Sequence, residues 1–185
     1  MKIFIPFLLL ILSFKTHAVG LGIGTYVPTI VRYQDTNDGS RDSSQFNPYF
    51  SVTTYWRIFG DHFLAPELGV AFHTGTEEEY SKRTTSAFWH LAWQFHSKFL
   101  FRYGLGTFWT RISGDGEEVE LPNGNTTATF YAPTESSTSF NSTLDLGVEY
   151  IMTQNWGSRL DFFILQPFSS NRRGVSYLLS MVFVP

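Results

Sequence analysis

The sequence contains no cysteine. That excludes a disulfide framework, a thiolate metal site and a lipid-attachment cysteine. Positive charge is also sparse, with 13 Lys and Arg against 16 Asp and Glu and a net charge of −3. No basic patch forms, which argues against nucleic acid as a partner. Beyond the first residues, no stretch approaches the ~18 consecutive apolar residues that a spanning helix needs. No second ligand stands at close spacing to His90, so neither a metal nor another cofactor is expected. The carboxylates of Glu77, Glu78 and Glu79, and of Asp115, Glu117, Glu118 and Glu120, read as solvated loop charge rather than as cation sites.

Aromatic side chains, by contrast, are abundant. Phe, Tyr and Trp make up 18% of the chain, more than a core of this size needs. The N-terminus carries a second signal. Met1 and Lys2 open a short basic region, Ile3 to Phe14 is nearly all apolar, and Thr16-His17-Ala18 supplies small residues for a cleavage site. This is the pattern of a secretory signal peptide over 1–18, with one domain over 19–185. Removing Lys2 and Lys15 leaves 11 basic against 16 acidic residues.

Over that domain, apolar and polar residues alternate with a period of two in eight segments. They run roughly over 20–32, 48–59, 63–73, 86–95, 99–112, 144–150, 159–165 and 175–184. Such alternation predicts half-buried β-strands. The links between them alternate as well. Gly60-Asp61, His96-Ser97-Lys98 and Thr153 to Asn155 are tight, whereas 34–47, 74–85 and 113–139 are long and polar. Short and long links therefore lie at opposite ends of the strands. The expected fold is all-β: an eight-stranded antiparallel up-and-down transmembrane β-barrel with short periplasmic turns and long extracellular loops. In such a barrel the apolar face meets lipid and the polar face fills the lumen. Aromatics gather near both strand ends, with Trp56, Trp93, Phe99 and Trp156 toward the short turns and Phe50, Phe72, Trp109 and Phe140 toward the long loops. Two such belts suit the two membrane–water interfaces.

The other face carries charge. Arg57, Glu67, Arg102, Glu149, Arg159 and Asp161 fall within a few residues of a short turn, with Asp145 one step higher. They are expected to form one network in the periplasmic half of the lumen, because buried charges must be paired. Around the Thr153 turn, Glu149 is expected opposite Arg159, with Asp161 diagonal to it. Tyr26, Tyr55, Phe88, Phe108, Phe163 and Leu178 also alternate inward, so the interior reads as a plug. His73 and Ser86 become cross-strand neighbours if the loop between them is symmetric, and a nearby Glu would complete a lipid-esterase triad. Among the loops, the long 113–139 segment, with Asp115, Glu117, Glu118, Glu120 and Glu135, is the best contact for a partner, or for a cation if any loop takes one. Arg172 and Arg173, adjacent positive charges in the last loop, suit lipopolysaccharide phosphates.

The segments "GLGIGTYVP" at 20–28, "LDLGVEY" at 144–150 and the final "VSYLLSMVF" resemble the small eight-stranded outer-membrane barrels of Gram-negative bacteria, the group of OmpA, OmpX and OmpW. That resemblance implies a lumen Arg–Glu network and a chain read by the outer-membrane assembly machinery. The chain departs from the group at its end, where Phe183-Val184-Pro185 displaces the usual terminal aromatic by two residues. The function expected is that of a non-enzymatic, monomeric barrel of the cell outer membrane, structural or surface-interactive, in contact with outer-membrane lipids and lipopolysaccharide. A narrow transporter of small apolar solutes, as resemblance to OmpW would imply, and a lipid A-modifying enzyme are the alternatives.

Overall fold

A computed structural model describes residues 18–28, 47–73, 80–123, 126–131, 133–170 and 173–185. The strands are β1 (Ala18–Val27), β2 (Pro48–Phe59), β3 (His62–Phe72), β4 (Tyr80–His96), β5 (Phe99–Gly114), β6 (Glu118–Asn123), β7 (Thr126–Tyr131), β8 (Ser137–Ile151), β9 (Trp156–Leu165) and β10 (Gly174–Phe183). Eight of them close a barrel in the order β1-β10-β9-β8-β5-β4-β3-β2, while β6 and β7 form a separate hairpin. Every pairing is antiparallel, and β1 meets β10 from Leu21 opposite Phe183 to Val27 opposite Tyr177, which leaves the ring without an edge. Among the described residues no helix is long and apolar enough to cross a membrane, a finding that says nothing about crossing by strands.

The tight turns form where the sequence places them. Gly60 adopts φ +51°, a left-handed conformation that glycine enters without a Cβ penalty. The Thr153 turn is closed by Met152 N–H and Thr153 N–H donating to Trp156 O at 2.9 and 3.0 Å. Asn155 in that turn also holds the last strand, because its Nδ2 donates to Val184 O at 2.8 Å.

Period-two alternation sorts the side chains as a membrane barrel requires and a water-soluble one does not. Leu68 is 65% and Leu105 60% exposed on the outside, whereas Arg102 and Arg159 inside are 0% and 1% exposed. On β5, Phe101, Tyr103, Leu105 and Trp109 share the outer face, and Arg102, Gly104, Gly106 and Phe108 face the lumen.

The strand lengths depart from the sequence-based expectation on the long-loop side. β4 begins at Tyr80 rather than Ser86, and β8 begins at Ser137, seven residues before Leu144. There β4, β5 and β8 continue as one ribbon, with Tyr80 opposite Gly114, Arg83 opposite Arg111, and Arg111 opposite Thr138. Inter-strand hydrogen bonds need no apolar face. A ribbon polar on both sides therefore leaves no alternation in the sequence. The β6–β7 hairpin in the 113–139 loop escapes sequence reading for another reason: its strands are 6 residues each, and the alternating run Glu118-Val119-Glu120-Leu121 is only four residues long. Residues 1–17 of the expected signal peptide lie outside the described residues, and Ala18 is the first residue of β1, opposite Tyr55.

Candidate functional site: the charged lumen

The barrel interior is built in layers. Nearest the long-loop end, Tyr26, Phe88, Phe108 and Phe163 pack together with Tyr49, Ala71 and Leu178. Ring centroids there lie 5.2 Å apart for Tyr26–Phe108 and 5.0 Å for Phe88–Phe163. Toward the short-turn end, Tyr55, Ala65, Ala92 and Leu100 form a smaller apolar layer. Below it opens a vestibule of about 310 Å³, lined by Tyr55, Phe63, Leu100, Glu149, Asn155 and Val184.

Between the two apolar layers stand the charges. Glu67 on β3 is the hub. It accepts from Arg159 Nη1 at 2.6 Å and Nη2 at 3.0 Å, from Arg102 Nη2 at 3.1 Å, and from Tyr49 OH at 3.0 Å. β3 and β9 are four strands apart whichever way round the ring is followed, so the Arg159–Glu67 pair spans the full lumen. Tyr55 on β2 makes a second span of that kind, donating to Glu149 Oε2 on β8 at 2.8 Å. Asp161 lies between the two guanidiniums, 2.8 Å from Arg159 Nε and 3.6 Å from Arg102 Nε. Arg102 also reaches Glu149 at 3.4 Å. The fork geometry of arginine allows one side chain to hold several carboxylates at once.

His90 links the charges to the rings above. Its ring stacks on Phe88 at 5.2 Å. Nδ1 lies 2.9 Å from Arg102 Nη2, which only donates, and 3.2 Å from Ala65 O, which only accepts; the shorter, charge-assisted contact makes Nδ1 the accepting nitrogen. The ring proton then sits on Nε2, which faces Asp145 Oδ2 at 2.6 Å. Two arginines thus face four carboxylates and a histidine, all buried. Glycine makes room for this packing: a Cβ at Gly147 would collide with Asp161 Oδ1, and one at Gly69 with the Tyr49 hydroxyl.

Of the charges expected in the lumen, the structure brings Glu67, Arg102, Asp145, Glu149, Arg159 and Asp161 together. Arg57 is not among them. Its side chain is 57% exposed, 3.7 Å from Asp61, and its Nε donates to Gly60 O at 2.7 Å. Arg57 keeps the inward phase, opposite Phe63, but it stands at the end of β2 just before the register shift, and its long side chain leans out of the lumen mouth onto its own turn. Glu149 is opposite Arg159 in register, yet the Arg159 guanidinium passes it by for Glu67 and Asp161. Tyr49 and Ser86, bonded to each other at 2.9 Å, belong to the cluster; in the sequence Ser86 stands out only as a candidate nucleophile, and Tyr49 escapes the reading. Carrying the β2 alternation one step back from Ser51 would have found Tyr49.

The serine–histidine set is not assembled. Ser86 lies opposite Gly69, whereas His73 lies past Phe72, which is opposite Arg83. His73 Nε2 instead meets Thr84 Oγ1 at 2.8 Å, and Thr84 meets Thr110 at 3.0 Å. At this rim, beyond the end of β3, burial and the nearby Lys82 push the His73 pKa down to about 4. Glu77, Glu78, Glu79 and Arg172 lie outside the described residues, and Arg173 is exposed, its Nη2 donating to Pro167 O at 2.8 Å. In the long acidic loop, Glu118 and Glu120 stand exposed on β6.

No protein-family model matches the sequence, and none of the curated proteins does. Solved structures do share the fold. The crystal structure of Ail, the attachment invasion locus protein of Yersinia pestis, has a TM-score of 0.53 at 11% identity, over 91% of this chain and 97% of that one. The backbone structure of the outer membrane protein Ail in a phospholipid bilayer nanodisc gives 0.51 at 8% identity, over 91% and 99%. Neisserial surface protein A gives 0.47 at 14% identity, over 90% and 94%. The chain has the fold of the small eight-stranded outer-membrane barrels.

Proposed function

We propose that this chain is a monomeric integral barrel of the outer membrane, closed to solutes and without catalytic activity, whose work is structural or done by its outer loops. One observation carries the reading: the burial pattern is inverted, with a bulky apolar exterior around a charged interior. Short turns lie on the periplasmic side and long loops outside, as in barrels of this kind. The closed lumen rests on the aromatic layer, because a solute would have to pass Tyr26, Phe88, Phe108 and Phe163, each at most 3% exposed. The absence of catalysis rests on Ser86, whose hydroxyl is engaged by Tyr49 and distant in register from His73. A surface role is in keeping with the fold shared with Ail. The outward Phe183, its ring 5.0 Å from that of Trp156, is the aromatic offered to the assembly machinery.

Two measurements test this. Protein extracted from outer membranes should change gel mobility on boiling, and vesicles containing it should admit sugars and small apolar solutes no faster than protein-free ones. Recovery in the soluble wash without a mobility shift would sink the membrane reading; solute flux would sink the closed lumen. Arg172 and Arg173 are the proposed lipopolysaccharide contact of the last loop. Replacing both by alanine should lower lipopolysaccharide co-purification, and unchanged co-purification would remove that role.

A further inference from the structure

The outer face of the barrel carries a feature with no use in the account above. Arg83 on β4 and Arg111 on β5 are directly opposite each other in register. Both continue the outward alternation of their strands, Arg83 in phase with Trp89 and Arg111 with Trp109, and both are exposed. Among the described residues neither has an ion pair or a side-chain hydrogen bond. Like charges directly opposite one another on a sheet repel. Among the described residues their neighbours on the same face carry no carboxylate: Phe72 lies opposite Arg83, Thr138 lies opposite Arg111, and Ser81 and Ser113, the next pair along, are bonded to each other at 3.0 Å.

What lies below the arginines identifies the ligand. Trp109 and Phe140, paired in register with centroids 5.9 Å apart, form the aromatic belt immediately beneath. Beneath the belt runs a groove of about 470 Å³ on the β4–β5–β8–β9 face, lined by Trp89, Leu91, Tyr103, Leu105, Leu144 and Ile164. Leu105 is six residues below Arg111, which is ~20 Å along a strand. With strands tilted by ~40° that is ~15 Å in depth, close to half the apolar band of an outer-membrane barrel. A cationic pair, an aromatic ledge and an acyl-length apolar groove are thus stacked along one wall.

We propose that this wall binds a phosphorylated, acylated lipid of the outer leaflet, a lipid A-type molecule, with a phosphate between Arg83 and Arg111 and an acyl chain in the groove. The proposal rests on the membrane reading above. It is separate from the Arg172–Arg173 contact, which belongs to the link between β9 and β10; β8 stands between β9 and β5 in the ring. A phosphate removes the repulsion between the two guanidiniums and satisfies their forks bidentately. The groove beneath selects a lipid over a free anion.

The test uses the full chain refolded into phosphatidylcholine vesicles with added bisphosphorylated lipid A, then extracted in detergent and gel-filtered. Lipid A retained per protein is read by mass spectrometry. The wild-type protein should retain it. Arg83→Gln with Arg111→Gln should retain at least about tenfold less, the effect of losing one charge-assisted hydrogen bond. Arg83→Lys with Arg111→Lys should fall between, because charge remains and the fork is lost. Dephosphorylated lipid A should bind wild type no better than it binds the glutamine variant. Both arginines are exposed, so the variants should keep the heat-dependent mobility shift. A folded glutamine variant with wild-type retention overturns the proposal, as does equal retention of the dephosphorylated lipid. Displacement by millimolar inorganic phosphate overturns the lipid assignment in favour of a free anion. A protein that never inserts, with no mobility shift, overturns this site and the membrane reading together.

Discussion

Replacing Glu67 by alanine should destabilise the folded barrel by about 3–5 kcal/mol, the cost of breaking a buried ion pair and leaving its partner uncompensated. Three of the four bonds at Glu67 come from guanidinium nitrogens, and the Arg102 and Arg159 side chains that supply them are fully buried. Water cannot replace the lost carboxylate there. The readout is the urea midpoint of Trp fluorescence in vesicles, or the temperature at which gel mobility changes. Replacing Glu67 and Arg159 together by leucine should be less harmful than the single change, because the pair is removed rather than broken. Arg57→Ala is the control. That residue is exposed with Asp61, so its loss should cost no more than about 1 kcal/mol. Equal effects at Glu67 and Arg57 would mean that the lumen network does not hold the barrel together.

The second large effect is expected on the opposite face, and it separates the two ways of wrapping one alternating sequence. Leu68 lies mid-strand on β3, pointing outward at 65% exposure. In a water-soluble barrel, Leu68→Arg would be neutral or would improve solubility. In a membrane barrel it places a guanidinium among lipid tails and should cost about 2–4 kcal/mol near the bilayer midplane. Folding equilibrium in vesicles, followed by the fraction of heat-modifiable protein against urea, reads the difference. A stability equal to that of wild type would move Leu68 out of the hydrocarbon and the outer face into water.

These two substitutions sit one residue apart, Glu67 inward and Leu68 outward. That juxtaposition shows how much of the protein is local. A strand sends successive side chains to opposite faces, so the order of residues alone determined which would share the lumen and which would share the outside. The same alternation, with tight and long links taking turns, determined the number of barrel strands and the antiparallel up-and-down order. Glu67, Arg102, Asp145, Glu149, Arg159 and Asp161 were legible because charge at an inward position has to be paired.

What the sequence left open, only closure of the ring decided. Spacing along the chain puts Glu149 opposite Arg159, but the curvature of eight strands brings Glu67 from the far wall within 2.6 Å of that guanidinium. Arg57 has the inward phase of a lumen charge, but at the strand end its side chain turns out to Gly60 and Asp61, which no alternation reveals. The ribbon beyond the barrel, and with it the Arg83–Arg111 pair, depends on inter-strand hydrogen bonds between polar segments. Neighbours along a strand are fixed by the covalent chain, whereas neighbours across a lumen or along a polar ladder are fixed by register and curvature, and those exist only in the folded barrel.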